Sequence, residues 1–185
     1  MTLLDFANWV PLPAPVTSAG PLTAGMWSFT DPSGEVWIAK QGVFSGQWRK
    51  ARDTLYVRGT QNTVTISGLT TIPLVLSSDV YGLLTPANGN IVVPIAGRYQ
   101  VAGSIAVGAV PNANGPIWQL QRNGVTSQLS QLFNGAGSAQ AFTFCMSDAM
   151  PCAAGDAIRM CIGNTGGTIS ANTGCALSVA YLGTG

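Results

Sequence analysis

The sequence predicts an all-β chain, a jelly-roll sandwich head carried on an extended N-terminal arm. Three observations lead there. Short stretches with period-two alternation recur at roughly ten-residue spacing, separated by Gly- and Asn-rich turns. Asn123-Gly124 stands between two such runs, and a two-residue hairpin loop of type I′ needs φ > 0 at both of its central positions. The composition changes near residue 59: residues 1–58 hold four of the five tryptophans and nine of the fifteen charges. The chain therefore reads as an arm, 1–58, and a head, 59–185.

In the arm, VPLPAPVTSAGPL carries Pro11, Pro13, Pro15 and Pro21, which disfavour a helix and favour extended backbone. DPSGEVWIAK reads as a turn at Asp31–Gly34 followed by a short strand. GQWRKARDTLYVR fits one helical turn or a strand. Too few apolar residues recur with a period for the arm to close a core of its own. A tryptophan-rich segment without a core packs on something else: the head, a sister chain or a larger shell. Trp9, Trp27, Trp37 and Trp48 are the candidate anchoring residues.

In the head, TVTISGLTTIPLVL is Thr- and Val-rich, and NIVVPIAG follows, with Pro94 marking an edge or bulge. RYQVAGSIAVG alternates, with Tyr99, Val101, Gly103, Ile105 and Val107 on one face and Arg98, Gln100, Ala102, Ser104 and Ala106 on the other. The second face is small and polar, suited to close approach by a neighbour. IWQLQRNGVTSQL forms the hairpin. AQAFTFCM sets Phe142, Phe144 and Met146 on one face, AAGDAIRMCIG turns at Ala154–Asp156 and directs Ile158, Met160 and Ile162 inward, and CALSVAYLGTG aligns Cys175, Leu177, Val179 and Tyr181.

Charge excludes several functions. Charged residues are 8% of the chain and the net charge is +1, against about 25% charged in an ordinary globular protein. So neutral a surface suits a chain covered by sister subunits. A nucleic-acid partner is not expected, because eight basic residues against seven acidic ones make no phosphate-binding field. The local cluster Arg49, Lys50 and Arg52, offset by Asp53, reads as a solvated turn. No apolar run is long enough to span a membrane. MTLLDFANWVPLPAP lacks a basic leader region, so synthesis in a cytosol is the default expectation. Cys145, Cys152, Cys161 and Cys175 form no C-x-x-C pair and read as reduced, packed thiols.

An enzyme is not expected either. The chain has no His, which removes Ser-His-Asp and Cys-His nucleophiles and the usual zinc sites. Its acids are scattered; Asp31, Asp148 and Asp156 fall in turn-like contexts where Asp caps backbone. Asn164–Gly167 lacks the Lys and helix of a phosphate loop. Asp79 and Asp148 are not brought together by the sequence as a Ca²⁺ site. No cofactor or metal is expected.

The order of these pieces resembles the globular heads of the complement and tumour necrosis factor family. The residues that carry the resemblance are Pro94, Gly97 and Tyr99, opening a long strand; Asn123-Gly124, ending another; Gly155-Asp156, ending a loop; and the closing GCALSVAYLG. The likeness covers about residues 80–183 and implies a ten-stranded jelly roll that forms compact trimers. The chain lacks a collagen-like stalk. Its arm followed by such a head resembles virion proteins of tailed phages of actinobacteria: head-fibre, capsid-decoration or minor tail proteins. That resemblance implies a homotrimer on the virion surface, made in the host cytoplasm, whose partner is the major capsid protein or another virion protein. The alternative is a tail protein that recognises a host-surface glycan. An animal-type signalling ligand is a third class.

Overall fold

The computed structural model describes residues 10–11, 26–40, 47–61, 64–66, 68–73, 75–78, 86–87, 89–110, 115–131, 140–163, 169–171 and 175–184. Its N-terminal part contains β1 (Val10–Pro11), β2 (Met26–Thr30), β3 (Val36–Lys40), β4 (Gln47–Lys50) and the single helical turn α1 (Ala51–Thr54). The head begins with β5 (Tyr56–Gln61), β6 (Val64–Ile66), β7 (Thr70–Thr71), β8 (Val75–Ser78), β9 (Pro86–Ala87) and β10 (Asn90–Val92). Its longer strands are β11 (Gly97–Val110), β12 (Ile117–Arg122), β13 (Val125–Gln131), β14 (Gln140–Cys152) and β15 (Ala157–Gly163), followed by β16 (Ile169–Ala171) and β17 (Cys175–Gly183).

The head is an antiparallel sandwich. One sheet runs β13-β12-β15-β10-β9, with β7 also on β15; the other runs β6-β16-β11-β17-β5-β8, with β14 also on β11. From β10 onward the chain alternates between the two: β11 crosses over, the β12–β13 hairpin returns, β14 crosses, β15 returns and β17 crosses again. This is jelly-roll topology, and the fold class read from the sequence is the one observed.

Period-two alternation builds the core. Tyr99, Val101, Gly103, Ile105 and Val107 are buried, while Arg98, Gln100, Ala102, Ser104 and Ala106 lie on the outer face. Facing them are Trp118, Leu120, Ile158, Met160 and Ile162, with Leu177 and Val179 beside them on β17; all are fully buried. Trp118 packs at 6.2 Å from Phe144. Gly103 is where the sheets come closest, since a Cβ there would lie 3.1 Å from both Met160 Sδ and Trp118 Cζ2. The hairpin forms as expected, with Asn123 at φ 51° and Gly124 at φ 80°. Pro94 falls in the bend between β10 and β11 rather than within a strand. Asp148 lies inside β14 and not in a turn.

The described residues of the N-terminal part form a sheet. β2, β3 and β4 form an antiparallel meander, and β1 adds to β4. The stretch left open between helix and strand is both: β4, then α1, then β5. Val36, Trp37, Ile38 and Ala39 are all buried, and they join the same core cluster as the head. The compositional boundary at 58/59 falls inside β5, which pairs with β17 from Tyr56 to Gln61. Leu55, fully buried, accepts the Tyr181 N–H at 2.9 Å, which ties the end of the meander to the head's last strand.

Candidate functional site

The head-motif residues gather into two knots, and both are structural. In the first, buried Pro94 precedes Gly97, where φ is +153° and a Cβ would lie 2.4 Å from Tyr181 Cε2. Tyr99 donates its hydroxyl to Ile95 O at 2.8 Å and meets Tyr181 edge-on at 5.1 Å. Burial pushes the Tyr99 phenol well above its usual range and the Tyr181 phenol up to about 12. In the second knot, Asn123 donates through Nδ2 to Asp156 Oδ1 at 2.6 Å and accepts the Ala157 N–H through Oδ1 at 2.8 Å. Asp156 in turn accepts the Ala153 N–H at 2.9 Å, and Arg122 lies 3.9 Å from its other oxygen. Gly155 supplies the positive φ of that turn, +90°. Sequence reading found Asn123 and Asp156 separately; their bond spans 33 residues, and no local pattern reports it.

The tryptophans are placed by the meander. Trp37 and Trp48 are 1% exposed, within the chain's own core, and are therefore unavailable as surface anchors in this fold. Phe29 packs edge-on to Trp48 at 4.9 Å and stacks near Trp37 at 6.4 Å. Trp27 is half-buried against the same cluster, and Trp9 lies outside the described residues. Asp31 organises the β2–β3 turn by accepting the Ser33 hydroxyl at 2.6 Å, the Glu35 N–H at 3.0 Å and the Trp37 Nε1–H at 3.0 Å. Those bonds, led by Ser33 and then Trp37, hold its carboxyl down at about 2. The basic cluster is an intramolecular latch: Arg52 Nε donates to Glu35 at 2.9 Å, and Lys50 lies 3.9 Å from Glu35 and 5.6 Å above the Trp37 ring.

The cysteines are all free thiols. Burial raises the pKa of Cys152, Cys161 and Cys175, which keeps them protonated and unreactive. Cys145 differs from the expected packed thiol, because it is exposed on β14.

The surface best suited to interaction is the outer face of the sheet β5-β17-β11-β14. Register places three rows across it: Tyr56, Ala180, Gln100, Ala149; Arg58, Ser178, Ala102, Ser147; and Thr60, Ala176, Ser104, Cys145. Arg58 is the single charge among them. The small central residues form the floor of an open groove of about 430 Å³, with Tyr56 and Arg58 on one side and Cys145 and Ser147 on the other. Ala and Ser have little rotamer freedom to lose when covered. Near the adjoining edge, the β12–β13 hairpin is tied to β14 by Ser127 of β13 donating to Asp148 and Arg122 of β12 donating to the Pro151 carbonyl. Among the described residues no group of three or more His, Cys, Asp or Glu side chains could hold a metal ion.

This topology defines a TNF-like β-sandwich. No protein-family model matches the sequence, and no curated protein does. Solved structures do match. The Eiger TNF of S. frugiperda superposes with a TM-score of 0.53 at 15% identity, covering 70% of this chain and 93% of that one. Murine APRIL, in structures at pH 8.5 and pH 8.0, gives TM-scores of 0.51 and 0.50 at 14% identity, covering 69% of this chain and 98% of each. At these identities the likeness is one of fold.

Proposed function

We propose that the chain is a structural assembly module: a homotrimer that decorates a phage particle as a capsid-decoration or head-fibre protein. The observation that carries self-association is the outer β5-β17-β11-β14 face, a broad, nearly uncharged surface of Ala, Ser and Thr. Covering it costs little desolvation of charge and little side-chain entropy. The TNF-like fold agrees with that reading. Attachment to a virion rests on the resemblance of the arm-plus-head sequence to phage proteins. With Trp37 and Trp48 inside the core, the anchoring role narrows to Trp27 and Trp9. The glycan-binding alternative asks for exposed aromatic platforms; Trp118 and Tyr99 are fully buried, which leaves it Tyr56, 44% exposed, on the described outer face.

The test is native mass spectrometry of the purified chain beside Ala102→Arg and Ser178→Arg. The wild type should run as a trimer, and either arginine should shift it to monomer by burying an unpaired charge. A wild-type chain that is monomeric at micromolar concentration rejects the proposal. Immunolabelling of particles then separates capsid from tail.

A further inference from the structure

We propose that Asn123 is a latent deamidation site, held off by the native turn, and that its conversion to aspartate loosens the junction between the β12–β13 hairpin and the β14–β15 turn. Asn-Gly is the dipeptide most open to this chemistry, because glycine presents no side chain to shield its backbone nitrogen. The Gly124 nitrogen attacks Asn123 Cγ and loses its proton; the bond from Cγ to the amide nitrogen breaks and ammonia leaves. Water then opens the resulting succinimide at either carbonyl, to aspartate or isoaspartate. Asn123 and Gly124 are both exposed in the turn, so water reaches them freely.

The native geometry works against the first step. Asn123 must swing its carboxamide back over its own following peptide, yet both ends of that carboxamide are engaged elsewhere. Nδ2 donates to Asp156 Oδ1 at 2.6 Å, and Oδ1 accepts the Ala157 N–H at 2.8 Å. The Asn123 backbone N–H adds a third tie, to Ala157 O at 2.8 Å. Reaction therefore waits for the turn to open.

The same contacts make the product disruptive. An aspartate at 123 has no N–H for Asp156, and it sets a second carboxylate where the first was a hydrogen-bond acceptor; like charges so close disfavour joint ionisation. The cations facing this pair are Arg122, 3.9 Å from Asp156 Oδ2, and Arg159, whose Nη2 lies 3.2 Å from where a Gly124 Cβ would stand. Arg159 is already engaged through Nε with Gln121 at 2.7 Å. Isoaspartate goes further, lengthening the main chain within a two-residue turn whose φ angles are fixed at 51° and 80°.

Peptide mapping by mass spectrometry tests the first half, on full-length chain incubated at mildly alkaline pH, folded and in urea. Conversion at Asn123 should be roughly tenfold or more slower in the folded chain, the factor that holding two ordinary hydrogen bonds supports. Equal rates overturn the protection. The second half compares Asn123→Asp with wild type and with the double variant Asn123→Asp/Asp156→Asn, which exchanges donor and acceptor across the pair. At pH 7 Asn123→Asp should melt roughly 2–4 °C below wild type, and the added Asp156→Asn should recover most of that loss. A single variant as stable as wild type, or one that Asp156→Asn does not rescue, overturns the charge mechanism. If Asn123→Asp alone fails to fold, a double variant that folds supports the proposal, and one that also fails refutes it.

Discussion

The N-terminal meander and the head bury tryptophan in opposite ways. In the head, Trp118 sits on a strand whose burial alternates, opposite a glycine that makes room for it. In the meander, Trp37 lies in a strand where four consecutive residues are buried, and its neighbours are other aromatics. Polar fittings hold the meander's turn and flank, Asp31 at one place and Glu35 with Arg52 at another, whereas the head closes on mixed aliphatic and aromatic packing between two sheets. The difference teaches how the described N-terminal strands join the head: β2, β3 and β4 make a small aromatic sheet whose buried residues are continuous with the head's core, and Leu55, just after α1, bonds to the final strand.

The largest expected effect breaks that continuity. Trp37→Ala should cost about 3–5 kcal/mol, as should Trp118→Ala, and both should lower one shared transition in calorimetry. A Trp37→Ala protein that loses only a small early transition, with the main one unmoved, would show two independently folding parts instead. Next comes Gly103→Val, which forces side-chain atoms against Met160 and Trp118; overpacking of this kind costs roughly 1–3 kcal/mol, read as a shift in the urea midpoint. An unshifted midpoint would mean the sheets can part there freely.

Asp31 sharpens the comparison through pH. Its folded pKa of about 2 lies below the ordinary 3.8, so its contribution is complete above about pH 5 and is lost as pH falls through about 2. Asp31→Asn should therefore be less stable than wild type at pH 7, and most of the gap should close by pH 2 in parallel thermal melts. A gap undiminished at pH 2 would assign the effect to shape rather than charge. The smallest effect belongs to Glu35→Gln. The Arg52 side chain is 55% exposed, and pairs so exposed contribute little and are screened by salt. A barely measurable change in melting temperature, vanishing in high salt, is the expectation.

Much of the head was legible in the sequence because its strands bury one face and leave the other outside, and period two is what that geometry writes. The alternation of residues 98–107, the Asn123-Gly124 turn and the inward sets on β15 and β17 are local facts of this kind. The meander was illegible for the converse reason. A strand covered on both sides, such as Val36–Ala39, has no alternation to read, and a stretch that becomes strand, helical turn and strand within fifteen residues offers each element too few positions for a period. Asp148 was misplaced because Asp suggests a turn, whereas here Ser127 across the sandwich edge satisfies it inside a strand.

By itself the sequence determined the class: an all-β chain, poor in charge, with its turns where glycine and asparagine permit positive φ and with no histidine for the common catalytic devices. Those are properties of individual residues and of their spacing. What only the tertiary structure decided are relations between distant residues. Asn123 meets Asp156, Tyr181 receives Leu55, and four strands far apart in sequence align Ala, Ser and Thr into one face. Contacts across such separations depend on which strands become neighbours, and that is settled by burying the apolar faces of all of them together, not by any stretch alone.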